Sequence, residues 1–340
     1  MLHFPLEDRL NQCVADFVDH GGIPVIDLAP LRMSTDPSAV ASALHKASRE
    51  VGFIYVTNHG LPQDVIDRAR RVALDFFRLP ELAKSKVRIS PQHRGWLRPG
   101  AARMQDGIKA DLKESYLWGS EDDPTQPRDH SLRGPNRWPS ELPELRDAAM
   151  AFFDHGHRLA RDLMRGFALG LNMPADFFLR SSCRPLSRGS FVYYPPQASG
   201  LGSDQFGVGP HTDFGVLTIL CQDDVGGLEV QKPTGQWVAA RPIDGTLVVN
   251  VGDLLARWTN DEYRSTPHRV LNSSGRERLS LVLAYDPDPQ TLVDPAAVFG
   301  PARFVRYAPI TCGEYLERRF ARAFDYRGAL ADHESAADGD

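Results

Sequence analysis

The sequence has few cysteines, no long apolar run and no basic leader. Its four cysteines, Cys13, Cys183, Cys221 and Cys312, form no Cys-x-x-Cys pair and no disulfide framework, so we expect reduced thiols and a cytoplasmic protein. No apolar stretch approaches the roughly 20 residues that span a membrane. The N-terminus has no basic region followed by an apolar stretch, so no secretory signal is expected.

The sequence also lacks an excess of basic charge, internal repeats and a glycine-rich phosphate loop. Its net charge is −5, which argues against the basic surface that nucleic-acid-binding proteins use. Hydrophobic residues make up 42% of the 340 residues and charged residues 24%, as in globular proteins with a large core. We therefore expect a monomer or weak homo-oligomer that binds a small molecule, with no membrane or nucleic-acid partner.

Residues 1–185 are predicted to form a mainly helical N-terminal region. Apolar residues recur at helical spacing in three segments, and Pro80 ends the second of them. The predicted helices cover residues 37–50, 63–78 and 143–171, and the predicted short strands cover residues 22–28, 52–57 and 113–118. Residues 92–140 are otherwise rich in loop-forming residues.

Residues 186–310 have the pattern of an antiparallel β-structure. Short β-branched runs alternate with turn residues such as Gly226-Gly227 and Asp244-Gly245, which is typical of a sandwich or jelly roll. We therefore predict an α+β fold: a double-stranded β-helix (jelly-roll) core with the helical N-terminal region packed on it. Residues 311–340 are predicted to form a C-terminal helix and a frayed acidic tail.

Two histidines and one aspartate are the candidate metal ligands. His211 and Asp213 are two residues apart at the start of an apolar run, so on one strand they would share a face. His268 follows a later predicted strand, and a jelly roll brings such distant strands together. Two imidazoles and one carboxylate form a facial triad with open positions, the usual site of non-haem Fe(II). The alternative for the first pair is a polar pair on a sheet edge.

Arg278 and Ser280 are candidate ligands for a carboxylate. They are two residues apart on a predicted strand and therefore share a face. A guanidinium matches a carboxylate through two parallel hydrogen bonds, and the hydroxyl adds a further donor. The alternative for Arg278 is a surface ion pair.

Several segments occur in the order found in one enzyme family. They are residues 22–28, 52–60 and 111–114, Tyr193-Tyr194-Pro195, His211/Asp213, residues 226–228 and 250–253, His268-Arg269-Val270 and Arg278-x-Ser280. This set resembles the iron(II)- and 2-oxoglutarate-dependent oxygenases, in the isopenicillin N synthase-like branch. The family's N-terminal segment corresponds to residues of about 22–130.

The resemblance implies the roles of the site residues. His211, Asp213 and His268 would bind Fe(II), while Arg278 and Ser280, helped by Tyr194, would bind 2-oxoglutarate. O2 would be the second co-substrate, and the products would include succinate and CO2 alongside an oxidised small organic metabolite. Hydroxylation, desaturation and ring formation are all within the family's chemistry.

Two other functions remain open on the sequence alone. Isopenicillin N synthase and the plant ethylene-forming oxidase also carry an Arg-x-Ser pair, yet they use O2 without 2-oxoglutarate. A non-catalytic jelly-roll sensor that binds a small ligand is the alternative from another class. The Arg278/Ser280 pair favours the enzyme, because a sensor that only binds metal has no need of it.

The expected substrate pocket lies at the mouth of the jelly roll. Tyr116 and Trp118 are two apart on the predicted strand 113–118 and therefore share a face, and Arg94 and Phe206 are further candidates. These four residues are the candidates to line the pocket, and ordinary packing or surface exposure is the alternative for each. The identity of the substrate does not follow from the sequence.

Overall fold

The structure of the chain is a computed structural model. It describes residues 22–33, 36–101, 111–121, 125, 129–196, 206–300 and 303–324. The predicted frayed tail lies outside these residues. Within them, no helix has both the length and the apolar character needed to cross a membrane.

The three helices predicted for the N-terminal region are present, with ends that agree to within about two residues, and two short helices there were not predicted. Each of the three predicted helices carries a buried apolar stripe, as in the 27-residue helix, where Phe152, Leu159 and Leu163 are among the buried side chains. The helices are α1 (Ala29–Arg32), α2 (Ser38–Glu50), α3 (Gln63–Phe77), α4 (Glu81–Lys86) and α5 (Glu144–Gly170), followed later by α6 (Asp253–Trp258), α7 (Pro295–Phe299) and α8 (Cys312–Ala323).

Most of the strands form two sheets. The strands are β1 (Val25–Asp27), β2 (Phe53–Thr57), β3 (Gly95–Leu97), β4 (Glu114–Gly119), β5 (Arg188–Tyr194), β6 (Val208–His211), β7 (Leu217–Cys221), β8 (Leu228–Gln231), β9 (Trp237–Ala239), β10 (Leu247–Val251), β11 (His268–Val270), β12 (Arg278–Tyr285), β13 (Leu292–Val293) and β14 (Ile310–Thr311). The major sheet has the order β1-β2-β10-β7-β12-β5-β4-β3 and the minor sheet the order β6-β11-β8-β9. Only β1 and β2 of the major sheet run parallel.

The two sheets enclose the jelly-roll core, as predicted. A smaller apolar cluster fills the space between them and includes Phe53, Tyr55, Val192, Leu228 and Val248. A larger cluster joins the opposite face of the major sheet to the helices. The strands β1 to β4 come from the N-terminal region, so that region completes the major sheet as well as packing on it.

The alternation of side chains along β12 gives the major sheet two different faces. Leu279, Leu281 and Leu283 are buried in the cluster that packs against the helices. Arg278 and Ser280 therefore project from the opposite face, toward the minor sheet. We call this the inner face, and the ladder partners of these residues lie on it as well: Tyr194 opposite Arg278, and Val192 opposite Ser280.

Candidate active site

The three candidate metal ligands converge at the edge of the minor sheet. His211 is the last residue of β6 and His268 the first of β11, and the two are direct partners in the antiparallel ladder. Asp213 Oδ1 lies 3.7 Å from Nε2 of His211 and 3.7 Å from Nε2 of His268. One ligand atom from each residue lies within 4.8 Å of the others, which suits a shared metal ion.

The expectation that His211 and Asp213 lie on a single strand is wrong. Strand β6 ends at His211, and Asp213 lies in the turn that leads to β7. The backbone carbonyl of Asp213 does not pair with a neighbouring strand; it accepts a hydrogen bond of 2.7 Å from the amide of Asp253. The ligands meet because the turn folds back beside the end of β10, and not through strand alternation.

Each histidine is oriented by the ring nitrogen that does not face the centre. Nδ1 of His211 is 2.8 Å from the carbonyl oxygen of Gly209, and Nδ1 of His268 is 3.2 Å from that of Thr266. When Nδ1–H donates to these carbonyls, Nε2 keeps a free lone pair for a metal. Asp213 is oriented in a similar way, since its Oδ2 accepts a hydrogen bond of 2.8 Å from Nδ2 of Asn250.

The electrostatics of the triad favour its metal-binding form. Burial and the neighbouring His268 lower the pKa of His211, which keeps its imidazole neutral. Burial alone raises the pKa of Asp213, but His268, His211 and Asn250 outweigh it and lower the pKa below its usual value. Neutral imidazoles and an ionised carboxylate are the forms that ligate a divalent cation.

The turn that carries Asp213 is held by the segment that joins β10 to α6. A Cβ atom on Gly252 would lie 2.1 Å from the carbonyl oxygen of Gly215, so a side chain is excluded at this close approach. The carboxylate of Asp253 accepts a hydrogen bond from Thr212 and pairs at 2.9 Å with Arg319 of α8. The C-terminal helix is therefore connected to the metal-ligand turn.

A second buried carboxylate holds the same turn from the major sheet. Asp286 follows β12, is 0% exposed, and accepts a 3.0 Å hydrogen bond from the amide of Val216. Arg188 Nη2 donates to Asp286 at 2.8 Å, and the ring of Phe320 lies 4.8 Å from the guanidinium. Asp253 stands among the sequence motifs only as part of the segment 250–253, and the sequence does not predict these contacts of Asp253, Asp286 and Arg188, because their partners are distant along the chain.

Arg278 is buried with most of its hydrogen-bonding capacity unused. The residue is 1% exposed, its Nε donates to the carbonyl of Gly226 at 2.5 Å, and its guanidinium lies 4.6 Å from the ring centre of Tyr194. Both Nη atoms and the hydroxyl of Ser280 have no hydrogen-bond partner among the described residues. Unpaired buried donors are costly, so this group fits a carboxylate ligand such as that of 2-oxoglutarate.

Gly226 and Gly227 place Arg278. Both have positive φ angles, and a Cβ on Gly227 would lie 2.2 Å from the carbonyl oxygen of Leu271. The chain can therefore approach β11 closely while the Gly226 carbonyl faces Nε of Arg278. The sequence contained this signal as a Gly-Gly-Leu segment, but the carbonyl contact could not be read from it.

Two of the four candidates for the substrate pocket lie on the other face of the sheet. Tyr116 and Trp118 are both 0% exposed and pack in the cluster between the sheet and the helices. Tyr116 lies 4.7 Å from the ring centre of Phe76, and Trp118 lies 4.4 Å from that of Phe191. Alternation correctly placed both on one face, but α3 and α5 cover that face. The expectation that they line the pocket is therefore corrected.

The other two candidates lie at the margins of the inner face. The guanidinium of Arg94 lies against Gly119, where a Cβ would approach its Nη2 to 2.1 Å, and Arg94 donates to the carbonyl oxygens of Gln92 and His93. Phe206 lies 5.6 Å from the guanidinium of Arg269, and its carbonyl accepts from the amide of Leu112. A substrate contact for either residue stays a prediction.

Two family models match the chain in adjacent regions. The model described as "non-haem dioxygenase in morphine synthesis N-terminal" matches residues 23–141, and the model described as "2OG-Fe(II) oxygenase superfamily" matches residues 189–287. The second match contains the triad together with Tyr194, Arg278 and Ser280.

Whole-length relatives agree with these matches. The 2-oxoglutarate-Fe(II) type oxidoreductase ppzC of Metarhizium majus is 35% identical, covering 96% of this chain and 91% of that protein. Homoarginine-6-hydroxylase 2-ODD-C23 of Glycine max is 34% identical, covering 82% of this chain and 89% of that protein. A full-length Neurospora crassa protein, crystallised in complex with alpha-KG and thymine, is 30% identical with a TM-score of 0.81, covering 91% of this chain and 99% of that one.

Relatives more than 30% identical match nearly the whole chain, and the solved structure has the same fold. These matches decide between the three functions that the sequence alone left open. The 2-oxoglutarate-dependent enzyme is favoured over the oxidase without 2-oxoglutarate and over the sensor. This chain belongs to the iron(II)- and 2-oxoglutarate-dependent oxygenase family.

Proposed function

We propose that His211, Asp213 and His268 bind the Fe(II) of this dioxygenase, and that Arg278 and Ser280 bind its 2-oxoglutarate. The observation that carries the proposal is the pair of unpartnered Nη atoms on Arg278, buried beside the hydroxyl of Ser280, which likewise has no partner among the described residues. When bound, Fe(II) and 2-oxoglutarate supply the oxidation: 2-oxoglutarate and O2 yield succinate and CO2, and a substrate C–H bond is oxidised.

The residues of the chain have orienting roles in this reaction. Arg278 and Ser280 hold the distal carboxylate, which leaves the opposite end of 2-oxoglutarate directed toward the triad. Tyr194 lies under the guanidinium at 4.6 Å and limits its rotation by a cation–π contact. Asn250 keeps one oxygen of Asp213 occupied, so that the other faces the two histidines. Because these residues hold the metal and 2-oxoglutarate in fixed positions, less entropy is lost when the reacting groups are brought together.

The substrate is proposed to be a small polar metabolite. Across β12, β5 and β4, the inner-face residues beyond Ser280 include Ser115, Ser190, Val282 and Ala284. Ser190, Val282 and Ala284 are small or medium-sized and only partly buried, so space remains beside them. Hydroxyl groups on this face favour a substrate with hydrogen-bonding groups over a large hydrocarbon.

The relatives support this proposal. One is named for homoarginine, and the Neurospora crassa protein was crystallised with thymine; both compounds are small and polar. Lys113, which pairs with Asp111 at 3.8 Å, lies on the same side, close enough to His211 to contribute to the lowered pKa of that residue. We therefore propose an amino-acid derivative or a heterocyclic metabolite of similar size.

The metal assignment is tested by iron content and succinate formation. We expect His211→Ala with Asp213→Ala to lose stoichiometric Fe(II) binding and succinate formation, because one imidazole cannot replace a triad. A double variant that binds iron as well as the parent would refute the assignment. His155→Ala with Asp154→Ala, which removes the same residue types from α5, is the matched control and should keep both properties.

The substrate class is tested separately by filling the space on the inner face. Ser190→Leu should reduce succinate formation stimulated by polar substrates, because the added carbons occupy the partly open position beside Val282. The slow substrate-independent turnover of 2-oxoglutarate should persist, and Ser190→Ala, which removes a hydroxyl without filling space, should have a smaller effect than Ser190→Leu. If terpenoid or flavonoid compounds stimulate the parent and polar metabolites do not, the proposed class is wrong.

A further inference from the structure

A cavity of about 270 Å³ lies outside the jelly roll, between the end of α1, the loop after β2 and the exposed side of α5. Helix α5 separates it from the major sheet, because Gly156 of α5 packs on Leu283 of β12. The active site lies on the inner face of that sheet. The cavity is lined by Arg32, His59, Gly60, His155, Arg158, Leu159, Arg161, Asp162 and Arg165.

The lining is strongly cationic although the chain is acidic overall. Four arginines face a single carboxylate, Asp162, in a protein whose net charge is −5. Two further carboxylates, Asp64 and Asp154, influence His155 from nearby but do not line the cavity. The pKa values of His59 and His155 are lowered by burial and then by Arg32 and Arg158 respectively, so both imidazoles are neutral near pH 7. The positive charge therefore comes from the guanidinium groups.

The carboxylate is shared by two of the arginines. Asp162 lies 3.6 Å from Nε of Arg32 and accepts a hydrogen bond of 3.2 Å from Arg165. Arg32 is held further by donation to the carbonyl of Asn58 at 2.9 Å, and its guanidinium lies against Gly60, where a Cβ would approach Nη2 to 1.9 Å. Gly60 has a φ of +72°, so its backbone favours glycine at this contact.

The other two arginines have no such partner. Among the described residues, Arg158 and Arg161 make no hydrogen bond and no close ion pair; Arg161, which is only partly exposed, acts on Asp162 through longer-range electrostatics alone. They are three residues apart on α5, so both guanidinium groups extend from the same side of the helix. Two guanidinium groups that make no hydrogen bond to the protein offer an anion several donors at once.

We propose that this cavity binds a small phosphate-bearing anion. Phosphate oxygens match the planar fork of arginine, and a dianion offsets most of the positive charge that Asp162 leaves. The volume lies near the lower end of the range for ligand pockets, roughly 300–1,000 Å³. That size fits inorganic phosphate or a small phosphomonoester and is too small for a whole dinucleotide. The site is independent of the oxidation chemistry, because the major sheet and α5 separate the two.

The test is calorimetric titration of the intact protein with inorganic phosphate and with phenyl phosphate, at low ionic strength. We expect both anions to bind the parent, and Arg158→Gln with Arg161→Gln to weaken binding by about tenfold or more, from the loss of charge-assisted hydrogen bonds. Binding of phosphate alone would identify the free anion as the ligand, and binding of both would admit a phosphomonoester. Succinate formation from 2-oxoglutarate should be unchanged in this variant.

The matched control is Arg318→Gln with Arg322→Gln, which removes the same charge from two exposed arginines of α8. We expect this pair to bind phosphate like the parent. Equal weakening in both pairs would assign the effect to net charge and overturn the proposal. The proposal is also overturned if chloride or citrate binds the parent as well as phosphate does.

Discussion

Two buried arginines on the inner face of the major sheet have opposite surroundings. Arg188 donates to the carboxylate of Asp286 and to the carbonyl of Leu186, so its charge is balanced within the protein. Arg278 is buried even more completely, yet both of its Nη atoms have no partner among the described residues. Arg188 thus stabilises the folded protein, whereas Arg278 has free donors that suit a ligand.

Two serines repeat this contrast. Ser182 is buried and its hydroxyl is 2.8 Å from the hydroxyl of Tyr285, so its hydrogen bond is made inside the protein. The hydroxyl of Ser280 is buried with no partner among the described residues. An unmet buried polar group costs stability, and a ligand can repay that cost. Buried polar groups without a hydrogen-bond partner therefore indicate the 2-oxoglutarate site better than residue types alone do.

The largest effect is expected for Arg188→Met. Asp286 would keep its burial and lose its counter-charge, which costs about 3–5 kcal/mol of unfolding free energy for a broken buried pair. Arg188→Met with Asp286→Asn should recover most of the loss, because the amide oxygen can still accept from Val216. Urea unfolding of the apo protein measures both. If Arg278→Met destabilises the apo protein as much as Arg188→Met does, the contrast between the two arginines is unsound.

A smaller effect is expected for Asn250→Ala, and the property that changes should be the affinity for Fe(II). Removing the donor to Asp213 Oδ2 should weaken Fe(II) binding by about 10–100-fold, as for other residues that orient metal ligands. Asn272 is equally buried and donates only to the carbonyls of Pro195 and Arg276. Asn272→Ala should lower stability and leave iron affinity unchanged. Similar iron affinities in the two variants would remove the proposed role of Asn250.

The smallest effect is expected for Ser280→Ala. Loss of one hydrogen bond of about 1 kcal/mol should raise the 2-oxoglutarate concentration needed for half-maximal succinate formation by about fivefold. Apo stability should be unchanged or slightly higher, since a buried unpaired hydroxyl is removed. Ser182→Ala should do the reverse, lowering stability without changing the 2-oxoglutarate requirement. A 2-oxoglutarate requirement unchanged by Ser280→Ala would mean that Ser280 makes no contact with the ligand.

Local sequence patterns predicted the regular elements well. Apolar spacing and Pro80 placed α3, and the long stripe placed α5, each within about two residues. The β-branched runs between turn residues predicted the jelly roll, because loop chemistry and strand propensity act locally. The candidate triad and the Arg-x-Ser pair were also recognisable, since each contains a residue type that suits a known chemistry.

Features that depend on contacts between distant segments could not be predicted. The apolar run after His211 looked continuous, so the turn at Asp213 was missed; its position depends on the amide of Asp253. Alternation placed Tyr116 and Trp118 on one face, but only the packing of α3 and α5 decides which face is covered. The unpaired state of Arg278 likewise depends on its burial and on the Gly226 carbonyl, which occupies Nε alone.

The central claim is that Arg278 holds 2-oxoglutarate beside an iron bound by His211, Asp213 and His268. Anaerobic titration of the Fe(II)-loaded protein with 2-oxoglutarate tests it directly, through the weak visible charge-transfer band expected when 2-oxoglutarate binds next to Fe(II). Arg278→Met should need about 100-fold more 2-oxoglutarate for the same band, a loss of roughly 3 kcal/mol, while Fe(II) binding persists. Arg276→Met, which removes an exposed arginine nearby, should titrate like the parent. If Arg278→Met binds 2-oxoglutarate as tightly as the parent does, the carboxylate site lies elsewhere and the claim is contradicted.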